Sequence, residues 1–332
     1  MNYFDYNYGQ FEINEPVILE LIESPALQRL KQIDQAGYQP LWHKPDVKNA
    51  DQYNRFVHSL GVYLLLKKYG ASIEEQIAGL IHDVSHSAFS HAIDYILEHG
   101  SQKEQSHQDN SHEGYVKKTE IPQILKKYGF DLEFILNDKN FPLKENNLPD
   151  LCADRIDYFL KSAILFEEMT TEENNQLLND LVVEDNNWVF KNFDSAKKFA
   201  DLFLKFNLEY WSGFSTARMF AAVGNFFREA ISKEYLNEKD FYQDDKFVLN
   251  KITPFIATDE KLNKLWLRMN GKVEAVNNPT DFDQEVWCKS RIIDPLFYDN
   301  GRIIRYSDKN TDWKQILEKQ LQPKQYFVKF ID

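Results

Sequence analysis

The run Ile77-Ala-Gly-Leu-Ile-His82-Asp83-Val-Ser-His86 decides how this chain folds. Apolar residues at helical spacing lead into it, and Ser72 with Glu75 three residues later forms a capping box that starts the helix. His82 and Asp83 diverge by about 100° around a helix, but at a helix end they can converge on an ion placed between them. His86 lies one turn after His82 and faces the same side. The alternative is a helix end whose histidines face solvent.

Further histidines and aspartates stand on both sides of this run. His58 lies upstream, in Arg55-Phe-Val-His58-Ser-Leu-Gly, and His91 and Asp94 lie downstream, in Phe89-Ser-His91-Ala-Ile-Asp94. His112 follows after a polar segment. A single histidine on an apolar helix is usually a satisfied core residue. Several histidines with two aspartates favour a metal-binding cluster, because a core tolerates such groups mainly when each is paired or bound to metal.

A metal needs a closing ligand from elsewhere in the chain, and a predicted helix over 148–166 offers one. Four polar side chains share one face of this helix, at positions i, i+3, i+4 and i+7: Asp154, Asp157, Tyr158 and Lys161. For Asp157 and Lys161, an ordinary surface ion pair four residues apart explains the pattern equally well. Composition alone does not decide the role of Asp154.

Helical periodicity dominates the first part of the chain. Ser24 and Pro25 begin a helix that stops near Gly37, and further helices are predicted over 55–69 and 87–97. The remaining segments are irregular and polar, and loops are predicted there: residues 39–54 and 101–111.

The pattern changes after the helix that carries Asp154. Two short β-branched and aromatic runs around Glu184-Asp-Asn-Asn187 predict a β-hairpin, and Phe-rich helices follow over 195–231. Beyond residue 236 strand-like pieces occur at 302–304 and 326–328. We therefore predict a mainly α fold with a helical domain over 1–235 and a C-terminal α/β appendage over 236–332. The boundary is soft because no linker separates the two parts.

Composition excludes several classes of protein. With 332 residues, a formal charge of −13 and 43% apolar residues, the chain is a packed globular protein that is not suited to track along nucleic acid. A small phosphorylated ligand needs only local positive charge or a metal. The two cysteines, Cys152 and Cys288, are expected to be buried thiols in a reducing compartment. No secretory signal or membrane-spanning run is evident, so the expected location is cytoplasmic.

At these residues the sequence resembles the HD superfamily of metal-dependent phosphohydrolases, and most closely its deoxynucleoside triphosphate triphosphohydrolase-like branch. The shared motifs follow one another in the family's order between about residues 15 and 165: Ser24-Pro-Ala-Leu-Gln-Arg-Leu30, Gln35, Arg55 to Val62, Gly79 to Asp83, Phe89 to Asp94, His112-Glu113 and Asp154 to Tyr158. The resemblance implies an HD-type helical bundle that encloses a divalent metal ion, which could be Mn, Fe, Mg, Co, Ni or Zn.

The resemblance also implies roles for individual residues. The metal ligands would be His58, His82, Asp83 and Asp154. The catalytic side chains would be His86, His91 and His112, with Asp94 orienting one of them. Substrate contacts are expected from Gln35 near the nucleoside, from Arg55 and Tyr158 near phosphate or sugar, and from Lys161. Such a metal polarises a phosphoryl oxygen and can lower the pKa of water to roughly 7, while a histidine near its ordinary pKa of about 6.5 can protonate the leaving oxygen.

Some features depart from this branch. The helix that should grip the triphosphate is best placed at 211–222, where Arg218 is the one cationic residue. Ser162 stands where an acidic residue is expected one turn after Tyr158. The loop after Gln35 is long, and its Trp42, His43 and Lys44 could reach a ligand, although a surface position is the more natural expectation for His43.

The leading functional hypothesis is hydrolysis of a nucleotide-like phosphoester or phosphoanhydride, with a deoxynucleoside triphosphate as the preferred substrate. Alternatives are a nucleoside monophosphatase or other small-molecule phosphatase, a di-iron oxygenase on the same scaffold, and a non-catalytic nucleotide sensor. A homo-oligomer is a further expectation, with an interface through four aromatic residues, although an internal core is the favoured interpretation for them: Phe214, Phe220, Phe226 and Phe227.

Overall fold

The structure, a computed structural model, describes residues 1–38 and 54–332. Trp42, His43 and Lys44, which the sequence suggested as ligand contacts, lie outside the described residues.

Helices make up most of the regular structure. Those before residue 170 are α1 (Pro16–Ile22), α2 (Pro25–Arg29), α3 (Arg55–Lys68), α4 (Ile73–Ile81), α5 (Ile93–Ile96), α6 (His107–Val116), α7 (Ile121–Lys127), α8 (Leu132–Leu136) and α9 (Ala153–Leu165). Those after it are α10 (Thr171–Asp180), α11 (Phe193–Phe206), α12 (Phe214–Ser232), α13 (Asp245–Ile256), α14 (Glu260–Met269), α15 (Tyr306–Lys309) and α16 (Thr311–Gln320). Short 3₁₀ turns occur at Leu30–Gln32, Ser90–Ala92, Asp138–Asn140 and Glu238–Tyr242, and a π turn at Asn207–Trp211 follows α11.

The strands form three small sheets. The strands are β1 (Asn2–Asp5), β2 (Gly9–Glu12), β3 (Leu181–Glu184), β4 (Asn187–Phe190), β5 (Ala275–Asn277), β6 (Gln284–Cys288), β7 (Leu296–Asp299), β8 (Arg302–Arg305) and β9 (Lys324–Phe330). β1 pairs with β2, the second sheet has the order β3-β4-β7-β8, and the third has the order β5-β9-β6. β4 and β7 run parallel and every other pair is antiparallel. The mainly α fold, the hairpin and the strands near 302 and 326 are confirmed.

Three helices position the candidate site, and side-chain caps or close contacts fix each of them. The Asn54 side chain accepts the Val57 N–H at the start of α3, and Ser72 accepts the Glu75 N–H at the start of α4, as its sequence predicts. α4 packs tightly on α3 at Gly79, where a Cβ would lie 2.5 Å from the Leu66 side chain. α9 also packs on α3, and His58 of α3 contacts both His82, which follows α4, and Asp154 of α9.

The predicted helix over 87–97 is only partly confirmed, because helical turns begin at Ser90 and end at Ile96. Its backbone turns through positive φ at Phe89 (61°) and Ser90 (47°), and regular helix resumes only in α5. The Ala88 N–H donates to the Phe241 carbonyl, and the Phe89 N–H donates to the Asp245 carboxylate at 2.7 Å. These partners lie some 150 residues along the chain, so local periodicity could not reveal the turn.

Three other boundaries also differ from prediction. The helix that begins at Ser24 ends as α2 at Arg29 with one 3₁₀ turn, well before Gly37, and α9 begins at Ala153 and not near Leu148. The predicted loop over 101–111 becomes helical from His107, where the Gln108 side chain donates to the His82 carbonyl at 2.8 Å. Tertiary contacts again decide what the local sequence leaves open.

Among the described residues, the buried hydrophobic side chains form two large cores and a small third cluster around Trp313. The larger lies among α1–α4, α9 and α11, and the second surrounds α12. This second core combines α12 with residues on both sides of residue 235, so the proposed division there runs through a shared interior. Phe220, Phe226 and Phe227 belong to it, in agreement with the internal-core alternative, and Phe214 is partly buried against Tyr326.

Two bulk predictions can also be compared with the structure. Both Cys152 and Cys288 are free and buried. Within the described ranges, no helix combines the length and the apolar character needed to span a bilayer.

Candidate metal centre

Side chains from α3, α4 and α9 converge at one point. His58 Nε2 lies 2.8 Å from Asp154 Oδ1 and 3.2 Å from His82 Nε2, and His82 Nε2 lies 3.6 Å from Asp154 Oδ1. Ligands of an ion with bonds near 2.1 Å stand roughly 3 Å apart, so these three donors have the spacing of a coordination shell. They form a group that could hold a metal ion.

Asp83 completes the predicted ligand set. Its two carboxylate oxygens lie 3.7 Å from His58 Nε2 and 3.4 Å from His82 Nε2. Arg55 Nη1 donates to Asp83 Oδ2 at 2.7 Å, and both side chains are almost fully buried. The structure therefore brings together all four residues predicted as ligands.

The hydrogen bonds of the two imidazoles leave their Nε2 atoms free for a cation. His82 Nδ1 lies 2.7 Å from the Gly79 carbonyl, which can only accept, so this nitrogen carries the proton. His58 Nδ1 is likewise held by Asp157 Oδ2 at 2.7 Å. When both imidazoles are neutral, their Nε2 lone pairs point at each other and at the Asp154 carboxylate, an arrangement that a shared cation satisfies. Metal-ligating histidines usually show this outer hydrogen bond. The donor set thus fits a divalent metal ion.

The electrostatics of the cluster also call for positive charge. Burial lowers the pKa of His58, but its hydrogen bonds with Asp154 and Asp157 outweigh this and raise the pKa to about 9, so a metal ion would displace a proton from this imidazole at neutral pH. Burial raises the pKa of Asp154, yet both imidazoles hold it well below its ordinary range. The pKa of Asp83 is held low in the same way, above all by Arg55. The carboxylates stay ionised and attract a cation.

Asp157 and Lys161 form a buried pair behind the centre. Lys161 Nζ lies 2.9 Å from Asp157 Oδ1, and the side chains are 1% and 0% exposed, so the surface ion pair considered from the sequence is wrong. Lys161 also donates to the Val57 carbonyl and lies 3.2 Å from Asp5, while the Tyr8 hydroxyl donates to Asp157. Lys161 therefore supports Asp157 from the interior, and the substrate contact expected of it is withdrawn because its ammonium group is enclosed.

The predicted catalytic histidines surround the centre as neutral groups. His86 Nε2 lies 3.3 Å from Asp83, its ring is 5.3 Å from that of His91, and His112 Nδ1 lies 3.1 Å from the Ser85 hydroxyl. Burial lowers the pKa of His86 and of His112 to about 4, and lowers that of His91 well below its ordinary value. The expectation of an ordinary pKa for these histidines is therefore corrected.

Asp94 has a different role from the one expected. Its carboxylate accepts the backbone N–H of Ser101 at 3.0 Å, and no described histidine side chain hydrogen-bonds to it. Burial raises the pKa of Asp94 to about 6. It fixes the start of the segment that leads into α6 and does not orient an imidazole.

Four predicted site residues each carry a buried polar atom that has no hydrogen-bond partner in the described part of the chain: Gln35 Oε1, Arg55 Nη2, His86 Nδ1 and Tyr158 Oη. Each such atom costs about 1–3 kcal/mol when it is left unsatisfied. A polar ligand at the centre would supply the missing partners.

Two supporting residues were missed from the sequence. Arg29 Nη2 donates to the carbonyls of Val84 and His86 at 2.7 and 2.8 Å, which fixes the turn after His82-Asp83. Asp157 orients His58, although its position pointed equally to a surface pair. Both lie within the quoted motifs, but their partners become visible only once the chain is folded.

Comparison with known proteins places these features in context. A family model described as the HD domain matches residues 55–161. The uncharacterised protein YdhJ of Bacillus subtilis (strain 168) is 32% identical over 308 residues, which cover 92% of this chain and 91% of that protein.

Two relatives with named activities match over shorter stretches. The metal-dependent phosphohydrolase cns2 of Cordyceps militaris is 34% identical over 53% of this chain and 49% of its own length. The deoxynucleoside triphosphate triphosphohydrolase SAMHD1 of Mus musculus is 32% identical over 39% of this chain and 22% of its own length. The match thus spans half or less of each of these two relatives.

Solved structures share the whole fold. A hypothetical protein from Aquifex aeolicus superimposes with a TM-score of 0.71 at 20% identity, over 100% of this chain and 96% of that one. A phosphohydrolase from Bacteroides thetaiotaomicron VPI-5482 gives a TM-score of 0.71 at 18% identity, over 99% of both chains.

Proposed function

The chain belongs to the HD-domain family of metal-dependent phosphohydrolases, and we propose that it hydrolyses a deoxynucleoside triphosphate to the nucleoside and inorganic triphosphate. The single observation that carries the reaction is the convergence of His58, His82, Asp83 and Asp154 with both Nε2 atoms free to ligate. The choice of substrate is supported by the similarity to SAMHD1. A nucleoside monophosphate or another small phosphoester is the runner-up.

The four ligands would hold a divalent ion, which when bound polarises a phosphoryl oxygen and acidifies a water molecule. The guanidinium group of Arg55 is positioned to bind an anion next to this ion. Its Nη1 is held by Asp83 and its Nε by Ser90 at 3.0 Å, so Nη2 remains to donate to a phosphate oxygen.

His86 is placed to move a proton. Its Nε2 faces the Asp83 carboxylate and keeps the proton of the neutral ring, which leaves Nδ1 as a free base. Burial and the charge of Arg55 lower its pKa in the free enzyme. A bound phosphate adds negative charge and raises this pKa, so Nδ1 could take a proton from water and return it to the leaving oxygen.

Gln35 and Tyr158 are proposed to bind the nucleoside side of the substrate. Each has a buried oxygen without a partner in the described ranges, and together they add an acceptor and a hydroxyl donor. A sugar or base that carries matching polar groups would satisfy both.

The test is a screen of nucleotides against Mn, Fe, Mg, Co and Ni that measures phosphate, pyrophosphate and triphosphate separately. Wild-type protein is expected to release triphosphate from deoxynucleoside triphosphates. The His82→Ala variant should lose this activity with an unchanged melting temperature in chelator, whereas His99→Ala, at an exposed histidine, should keep it.

Other outcomes identify the alternatives. Release of monophosphate from nucleoside monophosphates alone would favour the runner-up. Tight nucleotide binding with no turnover under any metal would indicate a sensor. Two irons per chain would favour the oxygenase, because a second ion needs ligands among His86, His91 and His112.

A further inference from the structure

The helix that was expected to grip the substrate phosphates does not supply a cation to the metal centre. Arg218 of α12 donates to the Val273 carbonyl at 3.0 Å, and its guanidinium lies against Gly271 near β5. A polyphosphate substrate carries several negative charges, so other cations must face them. The C-terminal part of the chain offers a pair.

The segment after β6 crosses beside the metal centre. At its start, the Trp287 carbonyl accepts the Tyr95 hydroxyl at 2.6 Å, next to Asp94. At its end, the Asp294 N–H donates to the Pro149 carbonyl at 2.8 Å, just before α9. The segment therefore runs from α5, which follows the 3₁₀ turn that carries His91, to the residues just before α9, which carries Asp154.

Burial alternates along this segment and puts two cations on one side. Cys288, Ser290 and Ile292 are buried, at 0%, 4% and 0% exposure, whereas Lys289 and Arg291 are partly exposed. In an extended chain, side chains two residues apart share a face and lie roughly 7 Å apart. Lys289 and Arg291 thus form a pair on the face opposite the core.

This pair lies within electrostatic reach of the centre. Arg291 Nη2 donates to Gln105 Oε1 at 3.1 Å, and Gln105 in turn donates to the Tyr95 hydroxyl at 3.0 Å. Burial and Arg55 lower the pKa of His91 most, and the charges of Arg291 and Lys289 lower it further. Burial raises the pKa of Tyr158, and the charge of Arg291 partly offsets this rise. The Tyr158 hydroxyl is buried and has no hydrogen-bond partner in the described chain.

The two cations are only partly neutralised, because the charges of Asp109 and Glu104 raise the pKa of Lys289 without forming an ion pair with it. Within residues 1–38 and 54–332, neither Lys289 nor Arg291 forms an ion pair with a carboxylate. Burial and the neighbouring charge of Arg291 lower the pKa of Lys289, so the two side chains repel each other. Adjacent, partly buried cations of this kind are costly unless an anion binds between them.

We propose that Lys289 and Arg291, contributed by the C-terminal part of the chain, bind the distal phosphates of a polyphosphate substrate at the metal centre. The inference rests on the proposed function, because the metal ligands and Arg55 account for the phosphate nearest the metal. The additional pair calls for a substrate with more than one phosphate. It assigns a specificity role to a segment that lies outside the family motifs.

The experiment measures binding of inorganic tripolyphosphate and of orthophosphate by calorimetry, with Mn-loaded full-length protein. Wild type should bind tripolyphosphate more tightly than orthophosphate. Since each charge-assisted phosphate contact is worth about a factor of ten, the double variant Lys289→Gln/Arg291→Gln should weaken tripolyphosphate binding at least tenfold. Its orthophosphate affinity and Mn content should stay within about twofold.

A matched control removes the same charge elsewhere. Lys272 and Arg302 are exposed in the same C-terminal region, and Lys272→Gln/Arg302→Gln should leave both affinities unchanged. Equal losses in the two double variants, or a loss in neither, would overturn the proposal. If the first double variant melts below wild type, the single changes Lys289→Gln and Arg291→Gln, measured separately, give the same comparison.

The outcome separates this inference from the proposed function. If wild type hydrolyses no nucleotide, the proposed function fails, while selective loss of tripolyphosphate binding still supports the pair. If wild type hydrolyses deoxynucleoside triphosphates and the double variant keeps its KM, the pair is rejected and the function stands. A KM raised at least roughly tenfold with kcat within about threefold supports both.

Discussion

At the residue scale, the metal centre depends on atoms that orient its ligands. His58 is held by Asp157, and Asp157 in turn receives hydrogen bonds from Tyr8 and Lys161. A carboxylate in this position fixes the tautomer and the ring orientation of the imidazole and raises its strength as a ligand. The N-terminal hairpin thus supports a ligand on α3 through one buried carboxylate.

Replacing Asp157 by Asn should weaken metal binding. The amide is isosteric but carries no charge, so His58 loses the anion that raises its basicity, and Lys161 loses its nearest carboxylate. Loss of such an outer partner typically costs 10- to 100-fold in metal affinity, and we expect a change in that range. Competition of Mn with a fluorescent chelator gives the dissociation constant.

Asp312→Asn provides the matched control, because Asp312 is exposed in the first turn of α16. Its metal affinity should equal that of wild type. An Asp157→Asn protein that binds Mn as tightly as wild type would show that Asp157 has no part in orienting His58.

Sequence reasoning identified the proposed ligands but not this support. The ligands belong to motifs whose order is recognisable, so His58, His82, Asp83 and Asp154 could be predicted together. The support is built from Asp5, Tyr8 and Lys161, which are separated by about 150 residues and meet only in the folded chain. The lowered pKa values of His86 and His112 could not be predicted from the sequence either, because they arise from burial in the folded chain.

At the scale of secondary-structure elements, glycines set how closely the site helices approach. Gly61 lies on α3 facing α9, and a Cβ there would stand 1.8 Å from Lys161 Nζ and 2.1 Å from Asp157 Oδ1. Any larger residue would push the buried pair away. The close approach of α9 therefore explains why the Arg55-to-Gly61 motif ends in a residue without a side chain.

Gly61→Ala should destabilise the protein and loosen the metal site. Overpacking of this kind costs about 1–3 kcal/mol, and displacement of the Asp157–Lys161 pair adds to it. Urea denaturation of the metal-free protein measures the free energy of unfolding, and Mn titration measures the effect on the site.

Gly114→Ala is the matched control on another helix. A Cβ on Gly114 in α6 meets nothing within 4 Å, so this change should stabilise the protein by about 0.5–1 kcal/mol. If the two variants unfold at the same urea concentration, the close approach at Gly61 is not what limits this position.

Local signals predicted some elements well and others poorly. Ser72 located the start of α4, because its hydrogen bond lies within the helix itself. The other half of the predicted capping box is not formed, since the Glu75 carboxylate accepts the N–H groups of Leu143 and Lys144. The turn at Phe89 could not be predicted, because Phe241 and Asp245 hold it from another part of the chain.

At the scale of the whole molecule, the C-terminal region is joined to the helical part by shared structure. β4 pairs with β7 in parallel, at Val189 with Leu296 and Phe190 with Phe297. The second core places Phe226 of α12 together with Val286 of β6. The composition changes near residue 236, but the second hydrophobic core continues across this position. The pair Lys289–Arg291 would also make this region part of the substrate site.

We therefore expect residues 1–235 alone not to fold cooperatively. Without the C-terminal region, α12 loses the cover of its apolar face and β4 becomes an open edge, which favours aggregation. The fragment should bind a hydrophobic dye and show no sharp thermal transition, whereas co-expression with residues 236–332 should restore a soluble complex that melts cooperatively. A fragment that melts sharply, binds no dye and keeps Mn at the affinity of the full chain would show that the helical domain is independent, and the boundary at 235 would then be a true domain boundary.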